Sequence, residues 1–165
     1  MKAVGIIVEY NPFHNGHAYH IQQAKQETNA NIVIAVMSGQ FLQRGEPALV
    51  DKWTRTKMAL QNGVDIVIEL PYIYSTAQAT DFATSAVFLL DAIKSSYFAF
   101  GSEHGTIDPF INTYKTIHKH SNLYNEQIRH AIQQGVSYPM ALQKAYLAVQ
   151  ELEKAEMVDL SLPNN

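Results

Sequence analysis

The sequence AVGIIVE at residues 3–9 runs directly into YNPFHNGH at residues 10–17. The first segment is short, apolar on both faces and rich in β-branched residues, which is typical of a buried parallel strand. In the second segment, Pro12 and Gly16 shape a tight loop, and a His-x-Gly-His tetrad lies where the loop becomes a helix. We therefore expect a strand, a shaped loop and a helix N-terminus in succession.

Similar strand patterns recur further along the chain, at Ile32–Met37, Val64–Leu70 and Tyr97–Phe100. Helical patterns separate them at residues 16–28, 51–61 and 81–93. In the second helix, Asp51 is placed to cap the start, and Trp53, Met58 and Leu60 are expected to face the core. The alternation of strand and helix predicts an α/β fold with a doubly wound parallel sheet and right-handed crossovers.

The pattern changes after Gly105, where no strand signal remains. Helices are expected at residues 106–121, 123–134 and 139–155. We therefore predict an α/β domain over residues 1–105 and a C-terminal helical extension over residues 106–165. The last six residues, LSLPNN, are typical of a turn, which indicates either a boundary within a longer chain or an ordinary frayed tail.

Composition excludes several classes of protein. The 165 residues are 47% hydrophobic and 16% charged, so the chain can bury a core and is not globally disordered. A net charge of −3 argues against nucleic-acid binding through bulk positive charge, although a local basic patch stays possible. The absence of cysteine excludes a disulfide scaffold and a thiol nucleophile, and it fits a cytoplasmic protein. We expect neither a signal peptide nor a membrane span.

The His-x-Gly-His tetrad carries the chemistry. In an open α/β sheet, ligands bind at the carboxyl ends of the strands beside the topological switch point. The new helix presents free backbone N–H groups and a partial positive charge there, which suits a phosphate. His14 and His17 can donate hydrogen bonds to phosphate oxygens and stabilise the charge that develops during group transfer. Two alternatives stay open: a zinc-binding face of His14, His17 and His20, or solvated surface histidines.

Four segments extend the pattern beyond the tetrad. They are GIIVEYNPFHNGH at 5–17, VMSGQFLQRGEPALVDKWTRTKMAL at 36–60, VDIVIELP at 64–71 and FGSE at 100–103. Together they closely resemble the bacterial tRNA(Met) cytidine acetate ligase family, and the tetrad is similar to the HxGH motif of the nucleotidyltransferase superfamily. The family's chain is longer, so the resemblance implies that this sequence corresponds to its N-terminal portion.

The resemblance implies a two-step reaction. Members of the family use ATP to activate acetate as acetyl-adenylate, and they then acetylate the wobble cytidine of elongator tRNA(Met). ATP, acetate and that tRNA would be the partners, and Mg²⁺ would be bound mainly through the nucleotide's phosphates. The implied catalytic residues are His14 and His17. The implied nucleotide-contacting residues are Ile7, Val8, Glu9, Tyr10, Asn11, Pro12, Phe13, His14, Asn15, Gly16, His17, Ala18, Tyr19, His20, Gly101 and one or both of Asn164 and Asn165.

Other polar residues are weaker candidates. Arg44 is a candidate for binding phosphate or the acetate carboxylate, and Glu69 lies close enough to a strand end to face a metal-bound phosphate. The cluster of Lys52, Arg55 and Lys57 is placed either to meet tRNA phosphates or simply to form a solvated helix face. Two other functions remain open: a small-molecule adenylyltransferase acting on pantetheine phosphate or nicotinamide mononucleotide, and a non-catalytic nucleotide- or RNA-binding module.

Overall fold

The computed structural model describes residues 1–102, 104–153 and 157–158. It divides into two compact units, Met1–Phe100 and Gly101–Asn165. The elements of the first unit are β1 (Ala3–Val8), α1 (Asn15–Thr28), β2 (Ile32–Ser38), α2 (Lys52–Gln61), β3 (Ile66–Leu70), α3 (Tyr72–Ser75), α4 (Ala79–Ala92) and β4 (Tyr97–Phe98).

The four strands form one parallel sheet in the order β3–β2–β1–β4. The chain moves outward from β1 to β2 and β3, and then returns to place β4 on the free side of β1. The strand order therefore reverses between β1 and β4, which makes the carboxyl end of β1 the topological switch point. The predicted α/β fold with a parallel sheet is confirmed.

Helices cover both faces of the sheet, as the doubly wound prediction requires. On one face, Ile21 and Ala24 of α1 and Ala59 of α2 pack against the inward side chains of β1 and β2. On the other face, Ala86 and Leu90 of α4 pack against Ile34, Val36 and Leu70. Gly5 of β1 lies directly under Leu90, whose side chain would clash with any Cβ at that position. The core is thus two apolar layers separated by the sheet.

The start of α2 was predicted correctly, but its core-facing side was not. The Asp51 carboxylate accepts hydrogen bonds from the backbone N–H groups of Trp53 at 3.0 Å and Thr54 at 3.1 Å. Trp53, however, is 71% exposed and Leu60 is 45% exposed. The buried residues of the helix are Arg55 and Ala59. A small alanine lets α2 approach the sheet, and Arg55 lies beside it on the buried face of the helix.

Two further boundaries differ from the predicted ones. β3 begins at Ile66 rather than Val64, and just before it the Asp65 carboxylate accepts a hydrogen bond from the Val33 N–H at 2.8 Å. α4 begins at Ala79 rather than at residue 81, so Asp81 lies in its first turn, where its negative charge is favourable to the helix dipole.

The described residues of the second unit are 101–102, 104–153 and 157–158, and its regular secondary structure there consists of helices. It contains α5 (Asp108–Lys119), α6 (Ser121–Gln133) and α7 (Tyr138–Gln150). Buried alanines, Ala131 in α6 and Ala141 and Ala145 in α7, allow these helices to pack closely. In the described part of the chain, no helix has the length and apolar character needed to cross a bilayer.

Candidate active site

Two histidines form the N-terminal cap of α1. His14 is the N-cap residue in extended conformation, and its Nδ1 accepts a hydrogen bond from the Gly16 N–H at 3.1 Å. In return, Nδ1 of His17 accepts a hydrogen bond from the His14 N–H at 3.2 Å. This is the reciprocal arrangement of a capping box, with imidazoles in place of the usual hydroxyl and carboxylate. The helix N-terminus thereby fixes both rings.

These hydrogen bonds determine the protonation of both rings. A nitrogen that accepts a hydrogen bond carries no proton, so Nδ1 of each ring is unprotonated and the neutral tautomer has its proton on Nε2. The rings of His14 and His17 are stacked, with centroids 3.7 Å apart and planes 24° apart. The cap therefore presents two adjacent, neutral Nε2–H donors at the N-terminus of a helix, where anions bind.

Burial keeps His17 neutral. Desolvation, followed by repulsion from a charged His14 or His20, lowers the pKa of His17 to about 4. Burial also lowers the pKa of His20, which lies one turn further along α1. At neutral pH, His17 is thus a hydrogen-bond donor that carries no charge of its own.

A cluster of aromatic rings packs between the histidine loop and the core. Tyr10 has a positive φ of 52° and is only 2% exposed. Its ring centroid lies 4.8 Å from that of Phe13 and 4.8 Å from that of His17. Burial raises the pKa of the Tyr10 hydroxyl. At the far side of the loop, Asn11 Oδ1 accepts a hydrogen bond from the Leu49 N–H at 2.7 Å. The loop is therefore anchored to the core and to the segment before α2.

Arg55 was predicted to lie on an exposed basic face of α2, and this prediction is wrong. Its side chain is fully buried, so it cannot meet tRNA phosphates as proposed for the basic cluster. The guanidinium donates to the Glu9 carbonyl at 2.6 Å, to the Ser38 carbonyl at 3.2 Å and to the Gly39 carbonyl. Its Nε donates to the Val50 carbonyl at 2.9 Å. Arg55 thus ties the ends of β1 and β2 together beneath the site.

Glu9 lines a cavity beside the histidine loop. Its Oε1 accepts hydrogen bonds from the Ser38 hydroxyl at 3.2 Å and the Gln43 N–H at 2.7 Å. The cavity measures about 280 Å³ and is lined by Ile7, Val8, Glu9, Gln43, Ala79 and Phe82. It therefore lies at the carboxyl end of β1, next to the topological switch point.

Most of the predicted nucleotide-contacting residues lie in one segment that runs from the end of β1, through the histidine loop, to the second turn of α1. Its exposed members are Pro12, His14, Asn15, Gly16 and Tyr19, and its half-buried members are Ile7, Glu9, Asn11, Phe13, His17, Ala18 and His20. Val8 and Tyr10 are buried. Gly101 is exposed and is the first residue of the second unit. Asn164 and Asn165 lie outside the described residues.

The weaker candidates have different environments. Arg44 and Lys57 are exposed. The Lys52 ammonium forms an ion pair with Glu69 at 2.6 Å. Among the described residues, no group of three His, Cys, Asp or Glu side chains has the arrangement of a metal site. In His14 and His17, Nδ1 is already engaged by a backbone N–H, which leaves only Nε2 of each ring for any ligand.

Comparison with known proteins places this chain in a family. The profile of the family described as HIGH Nucleotidyl Transferase matches residues 1–165. The chain belongs to that family. The predicted resemblance to the tRNA(Met) cytidine acetate ligases is also confirmed. The enzyme of that name from Lysinibacillus sphaericus is 61% identical over 165 residues, which is all of this chain and 41% of the relative. The one from Bacillus subtilis is 52% identical and is covered over 39% of its length.

A solved structure has the same fold. Thermotoga maritima TmcAL bound with alpha-thio ATP superposes with a TM-score of 0.82 and 40% identity, covering 92% of this chain and 37% of that one. The apo form of the same protein gives a TM-score of 0.83. The chain spans about two fifths of the length of the curated relatives it matches.

Proposed function

We propose that this chain provides the nucleotide-binding part of an enzyme that activates acetate with ATP and acetylates the wobble cytidine of elongator tRNA(Met) in the cytoplasm. The observation that carries the proposal is the stacked pair of neutral imidazoles at the N-terminus of α1. Relatives with the corresponding name support it, as does the relative bound to an ATP analogue. The first unit would be the nucleotide-binding domain, and the helical unit would extend it.

In the first step, an acetate oxygen attacks the α-phosphorus of ATP. A new P–O bond forms, the bond to the β-phosphate oxygen breaks, and pyrophosphate leaves with the electron pair. The Nε2–H groups of His14 and His17 donate to the phosphate oxygens on which charge accumulates. Because the donors are fixed by backbone hydrogen bonds before ATP arrives, little reorganisation is needed during the reaction.

In the second step, the exocyclic amine of cytidine attacks the acetyl carbonyl carbon of acetyl-adenylate. A C–N bond forms, the C–O bond to AMP breaks, AMP leaves with the electron pair and the amine loses one proton. No side-chain nucleophile is required, so the chain's own residues act by binding and orientation.

The nucleotide would contact the segment Ile7–His20, together with Gly101 and one of Asn164 and Asn165. ATP normally brings Mg²⁺ on its phosphates, and carboxylate oxygens are the protein ligands this ion prefers. Glu9, whose carboxylate lines the cavity at the end of β1, would be the residue that holds such an ion. Exposed Arg44 offers a planar cation for the acetate carboxylate.

Acetate-dependent exchange of radiolabelled pyrophosphate into ATP tests the proposal. The assay uses this chain followed by the remaining sequence of the Lysinibacillus sphaericus relative, because the whole activity is attributed to the longer protein. Exchange that requires acetate is the expected result. Exchange that needs pantetheine phosphate or nicotinamide mononucleotide instead would indicate a small-molecule adenylyltransferase. ATP binding without exchange under any acceptor would indicate a non-catalytic module.

A further inference from the structure

A second cavity lies at the same edge of the sheet, at the carboxyl ends of β2 and β3. It measures about 210 Å³ and is lined by Gly39, Gln40, Phe41, Glu69, Tyr72 and Ser75. Sites for drug-sized ligands are usually about 300–1,000 Å³. This cavity therefore has room for one small group, such as a single base.

Its charge favours a neutral ligand over an anion. Glu69 contributes a carboxylate whose Oε2 is 2.6 Å from the Lys52 ammonium. Lys52 is thereby already neutralised, and acetate or phosphate entering the cavity would meet a carboxylate of like charge. An ionised carboxylate accepts at several lone-pair positions, and the pair with Lys52 uses one of them. The cavity thus offers hydrogen-bond acceptors to a neutral ligand that carries N–H groups.

Its walls suit an aromatic ring. Phe41 and Tyr72 meet edge to face, with ring centroids 5.5 Å apart and planes 77° apart. Phe41 is 37% exposed and Tyr72 is 64% exposed, so both rings have free surface for a further planar group. Stacking of unpaired bases on aromatic side chains is the usual way in which proteins hold single-stranded RNA bases.

The absence of a side chain at Gly39 leaves room for the Glu69 carboxylate. A Cβ at Gly39 would lie 2.4 Å from Oε1 of Glu69, so a larger residue there would displace the carboxylate. Gly39 also accepts a hydrogen bond from the buried guanidinium of Arg55, which fixes its backbone. The position of the Glu69 carboxylate therefore depends on the backbone at the ends of β2 and β3.

We propose that this cavity receives the cytosine base, with the Glu69 carboxylate accepting a hydrogen bond from the exocyclic amine and Tyr72 stacking on the ring. Acceptance from that amine by Glu or Asp is the known way in which proteins read cytosine. The inference rests on the proposed function, in which the same amine is the attacking group. β1 and β3 are two strand spacings apart, roughly 10 Å, so the base would lie close to the acetyl-adenylate bound at the histidine loop.

Nucleoside titration of the 165-residue chain, without ATP or acetate, tests the inference separately from the reaction. Trp53 is the single tryptophan, and its ring centroid lies 5.1 Å from the ammonium of Lys52, which pairs with Glu69. We therefore expect its indole N–H resonance to respond when a ligand binds Glu69. We expect cytidine to shift that resonance and to bind about ten- to a hundredfold more tightly than uridine, which presents a carbonyl oxygen to the carboxylate. N4,N4-dimethylcytidine, which has no amine hydrogen, should behave like uridine.

Two variants complete the test. Glu69→Gln should abolish or invert the preference for cytidine, because its amide can donate to the uridine carbonyl. Tyr72→Ala should weaken both nucleosides without changing their ratio. Equal binding of cytidine and uridine, no binding of either, or a preference that Glu69→Gln leaves unchanged would overturn the inference. None of these outcomes depends on acetate-dependent pyrophosphate exchange, so the proposed function is tested independently.

Discussion

The two ends of the candidate site use opposite electrostatics. At the end of β1, His14 and His17 are uncharged donors held by backbone hydrogen bonds. At the end of β3, Lys52 and Glu69 form a charged pair, with side chains 24% and 49% exposed. Neutral donors can hydrogen-bond to a highly charged phosphate chain without binding it so tightly that pyrophosphate cannot leave. A paired carboxylate can instead orient an amine. The two ends therefore offer different chemistry, with uncharged donors at β1 and a paired carboxylate at β3.

The two ends also differ in how they are built. The histidine cap is local, since its two hydrogen bonds join residues only two and three positions apart. The ion pair joins residues 17 positions apart and depends on α2 lying against β3. Arg55 connects the end of β1 to the cavity at the ends of β2 and β3, because it binds the Glu9 carbonyl after β1 and the carbonyl of Gly39, which lines that cavity.

The largest effect is expected from removing that connection. Arg55→Met leaves buried carbonyls without donors and should lower the free energy of unfolding by about 3–5 kcal/mol. Lys57→Met on the exposed side of the same helix is the matched control and should change it by less than about 0.5 kcal/mol. Urea unfolding measures both. Equal effects of the two variants would show that Arg55 does not hold the strand ends.

The next largest effect concerns the β1 end alone. His14→Ala or His17→Ala in the extended enzyme should lower acetate-dependent pyrophosphate exchange about 10²–10³-fold, the usual loss for one transition-state donor. His130→Ala, an exposed histidine of α6, is the control and should keep full exchange.

His14→Asn separates catalysis from capping. Asparagine is a good N-cap, so helix stability should be kept while the Nε2–H donor is lost. Stability equal to the parent together with strongly reduced exchange would support the donor role. Full exchange in His14→Asn or in a His14→Ala, His17→Ala double variant would rule out that role.

The pH dependence of stability tests the neutrality of the β1 end. The pKa of His17 is lowered from 6.5 to about 4 in the folded chain. Between these values the unfolded chain binds a proton that the folded chain does not, so stability is complete above pH 6.5 and falls as the pH drops towards 4. After allowance for solvent screening we expect a loss of about 2 kcal/mol. His17→Gln should remove that part of the slope in urea unfolding, and an unchanged slope would contradict the assignment.

The smallest effect on stability is expected at the β3 end. The Lys52–Glu69 pair is partly exposed, and such pairs contribute about 0–1 kcal/mol. Lys52→Met should therefore change the free energy of unfolding by less than about 1 kcal/mol, a change that disappears in high salt. A larger, salt-independent loss would show that the pair is structural and would weaken the contrast between the two ends.

The sequence predicted best where the determinants are local. The histidine loop was found because one continuous segment supplies the strand end, the turn and the helix cap. Arg55 was missed because its partners are backbone carbonyls from three separate segments, which side-chain patterns do not reveal. The same holds for Trp53, which was expected in the core but is 71% exposed, since Arg55 occupies the inner face of α2. The pairing of Lys52 with Glu69 depends on the docking of α2 and was equally invisible.

Nitrogen NMR of the histidine rings, recorded at neutral pH on the 165-residue chain with and without ATP, tests the central claim most directly. The structure requires Nδ1 of His14 and His17 to be unprotonated and Nε2 to carry the hydrogen. We expect ATP to shift both Nε2–H signals while those of His130 stay unchanged. Doubly protonated rings, protons on Nδ1, or ATP binding that leaves both histidines unperturbed would contradict a phosphate site built from two neutral imidazole donors.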